Sequence, residues 1–215
     1  MGAIAENPPQ NCALCPRLKG FRDDNEKAYP DFFNAPVPGF GDMQARLLIM
    51  GLAPGLKGAN RTGRPFTGDY AGDLLYPTLL KFGFAVGAYK ADPNDGLALK
   101  DALISNAVRC VPPQNKPLGE EIKTCRQYLS AQVAALPRLQ IILALGGIAH
   151  RSVVASFGER QVDFPFGHGN TRKIGDGLTL IDSYHCSRYN TNTRRLTTPM
   201  FERLFEDIRN KLEAG

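Results

Sequence analysis

The sequence has no apolar run long enough to cross a membrane. A transmembrane helix needs about 20 consecutive apolar residues, and the apolar runs here are short. The start of the chain also lacks the basic region and long apolar stretch that mark a signal peptide. We therefore expect a cytoplasmic protein with no membrane partner, in which disulfides are disfavoured.

Signatures of nucleotide binding are missing as well. The longest glycine-rich segment, residues 51–69, does not end in Gly-Lys-Ser or Gly-Lys-Thr and has no G-x-G-x-x-G register. We therefore expect no nucleotide cofactor. Internal repeats, low-complexity segments and linkers are also absent, and 215 residues suit one core of ordinary size. This predicts a single domain over residues 1–215.

Short apolar runs alternate with helix-length segments along the chain. The apolar runs occupy residues 46–51, 102–108, 140–146 and 178–182. Helical patterns occupy residues 72–82, 120–136 and 199–212. Such runs are typical of parallel strands buried on both faces. The pattern predicts a three-layer α/β/α fold around a mainly parallel, four-stranded sheet, with residues 1–45 as an irregular N-terminal arm.

Unusual polar residues follow three of the predicted strands. The loop after the first strand is rich in glycine and contains Phe66 and Asp69. Asn106 ends the second strand, and His185 follows the fourth. Ligands of open α/β sheets bind at the carboxyl ends of the strands. A mobile loop, a structural amide and a structural histidine are the alternatives, but the coincidence of all three favours a ligand site.

Positive charge is concentrated in two segments. The net charge is +5 and the isoelectric point is about 9.0. Residues 60–64 and 188–195 contain no acidic residue, whereas the C-terminal stretch is mixed in sign. Arginines and small polar residues in such loops can bind phosphates, so the distribution is compatible with a nucleic-acid partner.

Four of the five cysteines have a spacing that suggests a metal site. Cys12 and Cys15 form a C-x2-C pair in the arm, while fourteen residues separate Cys110 from Cys125. Ordinary buried thiols are the alternative, but an arm with little core of its own would be stabilised by a metal. Four thiolates suit either zinc or a 4Fe–4S cluster, and the residues alone leave both open. Cys186 is not counted as a ligand.

Together these segments resemble the uracil-DNA glycosylase superfamily, in particular its iron–sulfur branch called family five or UdgB. Residues 51–55 and 61–69 resemble the first motif and its extension, residues 106–113 the base-reading strand end, and residues 185–190 the second motif. The resemblance implies removal of uracil, or another deaminated base, from DNA in base-excision repair by a monofunctional glycosylase. We expect this enzyme to be a monomer. It also implies a structural 4Fe–4S cluster on Cys12, Cys15, Cys110 and Cys125.

The resemblance also implies roles for individual residues. A base in a duplex must be flipped into a pocket, where Phe66 would stack on it and Asn106 would pair with its edge. His185 would hydrogen-bond the departing base, and Asp69 would replace the water-positioning residue of other branches, because Leu52 cannot activate water. The implied base-binding residues include Gly51, Leu52, Ala53, Gly55, Phe66 and Asn106. The implied DNA-binding residues are Arg61, Arg64, Ser187, Arg188, Asn190 and Arg194.

The second motif departs from the family pattern. His185-Cys186-Ser187 replaces the usual His-Pro-Ser, and Thr193-Arg194-Arg195 replaces Thr-Gly-Arg. These changes affect the loop that would grip DNA. Two other hypotheses remain at this stage: a non-catalytic nucleic-acid-binding module with a four-cysteine zinc site, and an iron–sulfur electron carrier.

Overall fold

The computed structural model describes residues 6–214. The strands are β1 (Phe40–Gly41), β2 (Leu47–Gly51), β3 (Ala85–Val86), β4 (Ala98–Leu99), β5 (Ala102–Asn106), β6 (Ile141–Leu145), β7 (Thr171–Ile174) and β8 (Leu178–Ser183). The helices are α1 (Pro16–Ala28), α2 (Ala59–Thr62), α3 (Tyr70–Lys81), α4 (Gly119–Ala134), α5 (Gly147–Ser156), α6 (Arg188–Asn192) and α7 (Thr198–Ala214). None of the helices in this part of the chain has the length and apolar character of a membrane span.

The main sheet has six strands in the order β1–β5–β2–β6–β8–β7. Its four inner strands are parallel, and they are the four predicted from the apolar runs. The α/β class is therefore confirmed, but the predicted number of strands is wrong. The additional strands, β1 and β7, are antiparallel and lie at the two edges. Edge strands need no continuous apolar run, because only part of their surface is buried.

Two layers of helices cover the two faces of this sheet. On one face, α3 and α7 pack against alternate strand residues such as Leu47, Ile49 and Ile104. On the other face, α4 and α5 pack against Leu48 and Met50, among others. Successive strand residues point to opposite faces, so each inner strand contributes to both apolar layers. This arrangement confirms the predicted three layers.

The N-terminal arm is more regular than predicted. Residues 16–28 form the thirteen-residue helix α1, and β1 lies within the same segment. Leu18, Arg22 and Asn25 are the buried residues of α1, one turn apart, but only one of them is apolar, so the periodicity was hidden. The three predicted helices are confirmed within two residues at each end. Residues 1–5 and 215 lie outside the described residues, and the extent of the single domain stays a prediction.

Helix α1 is fastened to the rest of the protein by its own side chains. Arg17 donates two hydrogen bonds to the Glu121 carboxylate of α4, each 2.8 Å long. Leu18 packs with Val108 and Tyr128 in a small apolar cluster that also contains Cys110 and Cys125. The arm therefore contacts the segment just beyond β5 and helix α4, which carry the predicted metal ligands Cys110 and Cys125.

Candidate active site

A cavity of about 290 Å³ lies at the carboxyl edge of the sheet. The loops after β2, β5 and β8 converge there, as expected for an open α/β sheet. The cavity is small beside the roughly 300–1,000 Å³ of pockets for drug-sized ligands, and its size suits one small ring. The lining residues are Leu52, Ala53, Gly55, Ala59, Phe66, Asp69, Tyr70, Ala71, Asn106, Asn115, His185, Ser187 and Arg188.

Gly51 allows three parts of the site to approach one another. A Cβ at this position would overlap both the Asn106 side chain and the Phe66 ring. Beyond the strands, the Gly51 and Leu52 carbonyls accept hydrogen bonds from the N–H groups of Ala107 and Val108, at 3.0 and 2.9 Å. The loop after β2 is therefore fixed against the strand end that carries Asn106. Gly51 makes room for the Asn106 and Phe66 side chains and does not itself line the cavity.

Phe66 is held in an unusual backbone conformation. Its φ is +54°, which is rare for a bulky residue and costs on the order of 1–3 kcal/mol. Its carbonyl passes so close to Gly72 that a Cβ there would overlap it. The nearly buried ring of Phe66 lies 5.9 Å from the His185 ring, centroid to centroid, with an angle of 29° between the planes. The strained backbone thus presents an aromatic face to the cavity beside His185.

Asn106 offers an unpaired amide to the cavity. The residue is 4% exposed, and within residues 6–214 its carboxamide forms no hydrogen bond. Buried amides are ordinarily paired, because leaving one unpaired costs about 1–3 kcal/mol. A carboxamide presents both a donor and an acceptor. It can therefore read a ligand edge that carries the complementary pair.

Asp69 serves the fold and the cavity at the same time. It is the N-cap of α3, where its Oδ1 accepts a hydrogen bond of 3.1 Å from the Gly72 N–H. Oδ2 points toward Gly55 and Gly58, and a Cβ on Gly58 would overlap it. Burial raises the pKa of Asp69, and the N–H groups of Gly72 and Ala71 lower it in part. The helix start thus fixes a carboxylate against the cavity wall.

His185 brings a neutral imidazole to the cavity. It follows β8, and its carbonyl accepts a 2.8 Å hydrogen bond from Asn190 Nδ2. Although the ring is reached through the cavity, protein atoms surround it, and this burial lowers its pKa to about 4. The ring nitrogens have no hydrogen-bond partner among residues 6–214. At neutral pH the ring is uncharged and can donate one hydrogen bond to a ligand.

Acid is expected to destabilise the protein through His185. The pKa falls from 6.5 when unfolded to about 4 when folded, so the stabilisation is complete above pH 6.5 and is lost as the pH drops toward 4. One pKa unit corresponds to about 1.4 kcal/mol, so we expect a loss on the order of 3 kcal/mol. Urea unfolding of wild type and His185→Gln at about pH 7 and about pH 4.5 measures it. Parallel pH dependence in both proteins would contradict this expectation.

The predicted DNA-binding residues do not all lie at the rim of the cavity. Ser187 and Arg188 line it, and Arg188 lies 5.2 Å from the centroid of the Tyr70 ring. Arg61 and Arg194 are exposed farther out. The Asn190 side chain supports His185, as described above. These residues leave a partly basic surface around the opening.

Arg64 is a correction. Its side chain is 5% exposed and pairs with Asp95 through two hydrogen bonds of 2.8 Å. It also lies over the Phe40 and Tyr76 rings, 5.2 and 5.4 Å from their centroids. A guanidinium enclosed in this way cannot reach a phosphate. The prediction that Arg64 binds DNA is therefore wrong, and the residue is structural.

The sequence interpretation missed two cavity residues that carry polar groups. Tyr70 directly follows Asp69 and starts α3. Asn115 lies in the turn after Pro112-Pro113 and has a φ of +58°. A turn was recognisable from the paired prolines. Its position beside the cavity, however, depends on the tertiary fold. Nothing local in the sequence indicated it.

The four predicted metal ligands surround one small space. Cys12, Cys15, Cys110 and Cys125 all line a cavity of about 20 Å³. We call these four residues the cysteine site. The Cys12 Sγ lies 3.8 Å from the Tyr128 hydroxyl, and the Arg109 backbone N–H donates to the Cys125 Sγ at 3.4 Å. The arm, the segment after β5 and helix α4 thus bring all four sulfurs together.

The donor chemistry of the cysteine site fits a metal group. Burial raises the pKa of Cys110 to about 12, against a smaller lowering by Arg22, and it raises that of Cys15 to about 11. A bound cation would be needed to hold such thiols as thiolates at neutral pH. Within residues 6–214, no three histidine, cysteine or carboxylate side chains are arranged around the position of a single ion.

Comparisons with known proteins agree with the geometry. A model of the uracil DNA glycosylase superfamily matches residues 38–209. The type-5 uracil-DNA glycosylase of Thermus thermophilus is 44% identical over 195 residues, which cover 88% of this chain and 89% of the relative. The type-5 uracil-DNA glycosylase of Mycobacterium leprae is 39% identical over 206 residues, or 92% and 90% of the two chains. This chain therefore belongs to the uracil DNA glycosylase superfamily.

Proposed function

We propose that the chain is a uracil-DNA glycosylase of the type-5 kind, which hydrolyses the bond between uracil and deoxyribose in the first step of base-excision repair. One observation carries this proposal. A cavity sized for one small ring holds an aromatic face, an unpaired amide, a neutral imidazole and a carboxylate. The names of the type-5 relatives support the same activity.

Recognition would require the base to leave the duplex. The target atom is unreachable inside stacked DNA, so the nucleotide is flipped into the cavity. The Phe66 ring would stack on the flipped base, which is worth about 1–3 kcal/mol. The Asn106 carboxamide would pair with the adjacent acceptor and donor of uracil. Leu52, Ala53 and Gly55 would pack closely around the base, and Gly51 would keep the Asn106 amide near it.

The chemistry is a hydrolysis without metal at the bond that breaks. Water adds to C1′ of the sugar, the glycosidic bond breaks with its electron pair leaving on the uracil ring, and the proton that the water loses neutralises the released uracil. Neutral His185 would donate a hydrogen bond to the base oxygen on which negative charge grows. The Asp69 carboxylate would orient the water and stabilise the positive charge that develops on the sugar. The leucine at position 52 leaves Asp69 as the cavity carboxylate for this role.

DNA would lie across the opening of the cavity. The exposed guanidinium groups of Arg61, Arg188 and Arg194 would contact phosphates, as would the Ser187 hydroxyl and the Asn190 amide. Tyr70 lies beside Arg188 at the same opening. Phosphate contacts do not depend on the base sequence. Because they release counterions from the DNA, the affinity for DNA should fall steeply as the salt concentration rises.

The cysteine site would hold a 4Fe–4S cluster that joins the arm to the α4 side of the sheet. The four thiols provide the ligand set that such a cluster needs. When bound, the cluster supplies a cross-link between distant segments and takes no part in the hydrolysis. The residues that line its cavity are distinct from those of the candidate active site, so the proposed role is structural. We place the enzyme in the cytoplasm as a monomer, with DNA as its partner.

An excision assay tests the proposed function. Purified protein is incubated with a labelled oligonucleotide that contains one uracil, in chelator and without nucleotides, and alkali then reveals abasic sites. We expect free uracil and strand breaks only after alkali treatment. No release above a protein-free blank, together with retained DNA binding, would instead support a non-catalytic binding module. Oligonucleotides with hypoxanthine or xanthine, in single and double strands, then define the range of bases.

Absorption and metal analysis test the cluster separately. A brown protein that absorbs near 400 nm and contains iron supports it. Colourless protein that contains zinc would contradict the proposal that the cysteine site holds an iron–sulfur cluster. It would not bear on the proposed glycosylase activity. A reversible reduction of the cluster in a protein that releases no uracil would favour the electron-carrier hypothesis.

A further inference from the structure

Two buried arginines have no acidic partner among the residues that the structure describes. Arg22 and Arg109 are 4% and 1% exposed. No carboxylate within residues 6–214 lies within ion-pairing distance of either guanidinium. Burying a charge is costly unless an opposite charge compensates for it. The protein satisfies this rule elsewhere, since buried Arg64 has Asp95.

The acceptors around both guanidinium groups are neutral. Arg109 donates to Gln132 Oε1 at 2.9 Å, to Asn7 Oδ1 at 3.1 Å and to the Glu6 carbonyl at 3.3 Å. Arg22 donates to the Gln10 carbonyl at 3.0 Å and to the Cys12 carbonyl at 2.5 Å. Its Nε is buried without a partner among the described residues. Neutral acceptors satisfy hydrogen bonds and leave the two charges uncompensated.

Both arginines adjoin the cysteine site. Arg109 precedes Cys110, lines the cavity between the four sulfurs and donates its backbone N–H to Cys125. The guanidinium of Arg22, which lies on α1, donates a hydrogen bond to the carbonyl of Cys12. The Arg22 guanidinium therefore adjoins the site from the arm, and Arg109 adjoins it at the strand end.

The charge of a bound metal group matches that of the arginines. Four thiolates around a core with two positive charges have a net charge of about −2. This holds for zinc and for an oxidised 4Fe–4S cluster alike. Two guanidinium groups would compensate it almost fully, and in a low-dielectric site such compensation is strong.

We propose that Arg22 and Arg109 are the counter-charges of the metal–thiolate group, and that they retain it on the four cysteines and raise its reduction potential. This inference rests on the proposed metal at the cysteine site and is independent of the glycosylase activity. The two arginines would be positioning residues for the group, comparable to the outer-shell partners of other metal sites. The negative charge of the metal–thiolate group would explain why the fold buries two arginines that have no carboxylate partner among the described residues.

A plain cross-linking role is the competing explanation. Arg109 joins the N-terminal segment to α4 by its hydrogen bonds, and a lysine would keep the charge while losing that fork geometry. Lys27 provides the control because it lies on α1, like Arg22, and its side chain and that of its ion-pair partner Asp24 are both exposed. Its removal changes the surface charge of the same helix without leaving a buried charge unpaired.

The experiment compares wild type, Arg22→Met, Arg109→Met, Arg109→Lys and Lys27→Met as isolated holoproteins. Iron loss to an excess of chelator and the reduction potential by electrochemical titration are measured for each. We expect iron loss to be about 10-fold or more faster in Arg22→Met and Arg109→Met, with a shift to more negative potential. Lys27→Met should match wild type, and Arg109→Lys should keep the wild-type potential.

Several outcomes would overturn the inference. Wild-type iron retention and potential in both methionine variants would do so. An Arg109→Lys potential as negative as that of Arg109→Met would assign the effect to hydrogen bonds. If Arg109→Met does not fold, Arg22→Met alone decides. Wild-type protein without metal would remove the basis for the inference, and uracil release by that same protein would show that the glycosylase proposal stands.

Discussion

Asp69→Asn is expected to abolish most base removal while leaving the fold intact. Asparagine is about as good an N-cap as aspartate, so the start of α3 should be preserved. The substitution removes the negative charge that the proposed mechanism requires. We expect a loss of roughly 10²-fold or more in the single-turnover excision rate. Thermal unfolding should remain close to that of wild type.

Asp73→Asn is the matched control for this variant. Asp73 lies one turn farther along α3 and is exposed. The excision rate of the Asp73→Asn variant should therefore remain near that of wild type. Near-normal turnover by Asp69→Asn would move the catalytic role to another residue. The pH profile gives a second check. Because burial raises the pKa of Asp69, the rate should fall on acidification as this carboxylate takes up a proton, at a pH above that of an exposed aspartate.

Asp95→Asn is expected to have the largest effect on stability. The Asp95 side chain is fully buried against Arg64, and the Arg64 guanidinium holds the pKa of the Asp95 carboxyl well below its ordinary value. Removing one partner of a buried ion pair leaves the other charge uncompensated, which costs about 3–5 kcal/mol. Urea unfolding at neutral pH measures this loss.

A double variant and a neighbouring residue provide the controls. Arg64→Met combined with Asp95→Asn removes both charges and should recover most of the lost stability. Asp92→Asn changes an exposed carboxylate in the same loop and should alter stability by no more than about 0.5 kcal/mol. A stable Asp95→Asn protein with weakened DNA binding would restore Arg64 to the DNA interface. Loss of stability alone would support the structural role.

The parts of the fold that could be predicted from sequence are those in which the pattern is local. The inner strands are buried on both faces, so each reads as an unbroken apolar run, as in residues 47–51. Helix α7 has a full apolar stripe and was also predictable. Helix α1 buries one leucine, one arginine and one asparagine. Its buried face is held by distant partners, and these are invisible in a local pattern.

The same distinction applies to the site. Asp69, Asn106 and His185 were identifiable because polar residues at strand ends are unusual, and the topology brings strand ends together. Arg61 and Arg64 lie three positions apart in one basic segment, yet one is exposed and the other is buried. The difference is set by Asp95, which lies 31 positions beyond Arg64. No feature of the basic segment itself distinguishes the two arginines.

The edge strand β7 has a consequence for the behaviour of the protein at high concentration. Its residues Thr171, Arg172 and Lys173 are exposed, and only Ile174 is buried. An open strand edge can template the addition of another chain, and charged side chains, lysine above all, oppose this. The polar composition that concealed β7 in the sequence therefore protects the sheet against edge-to-edge aggregation.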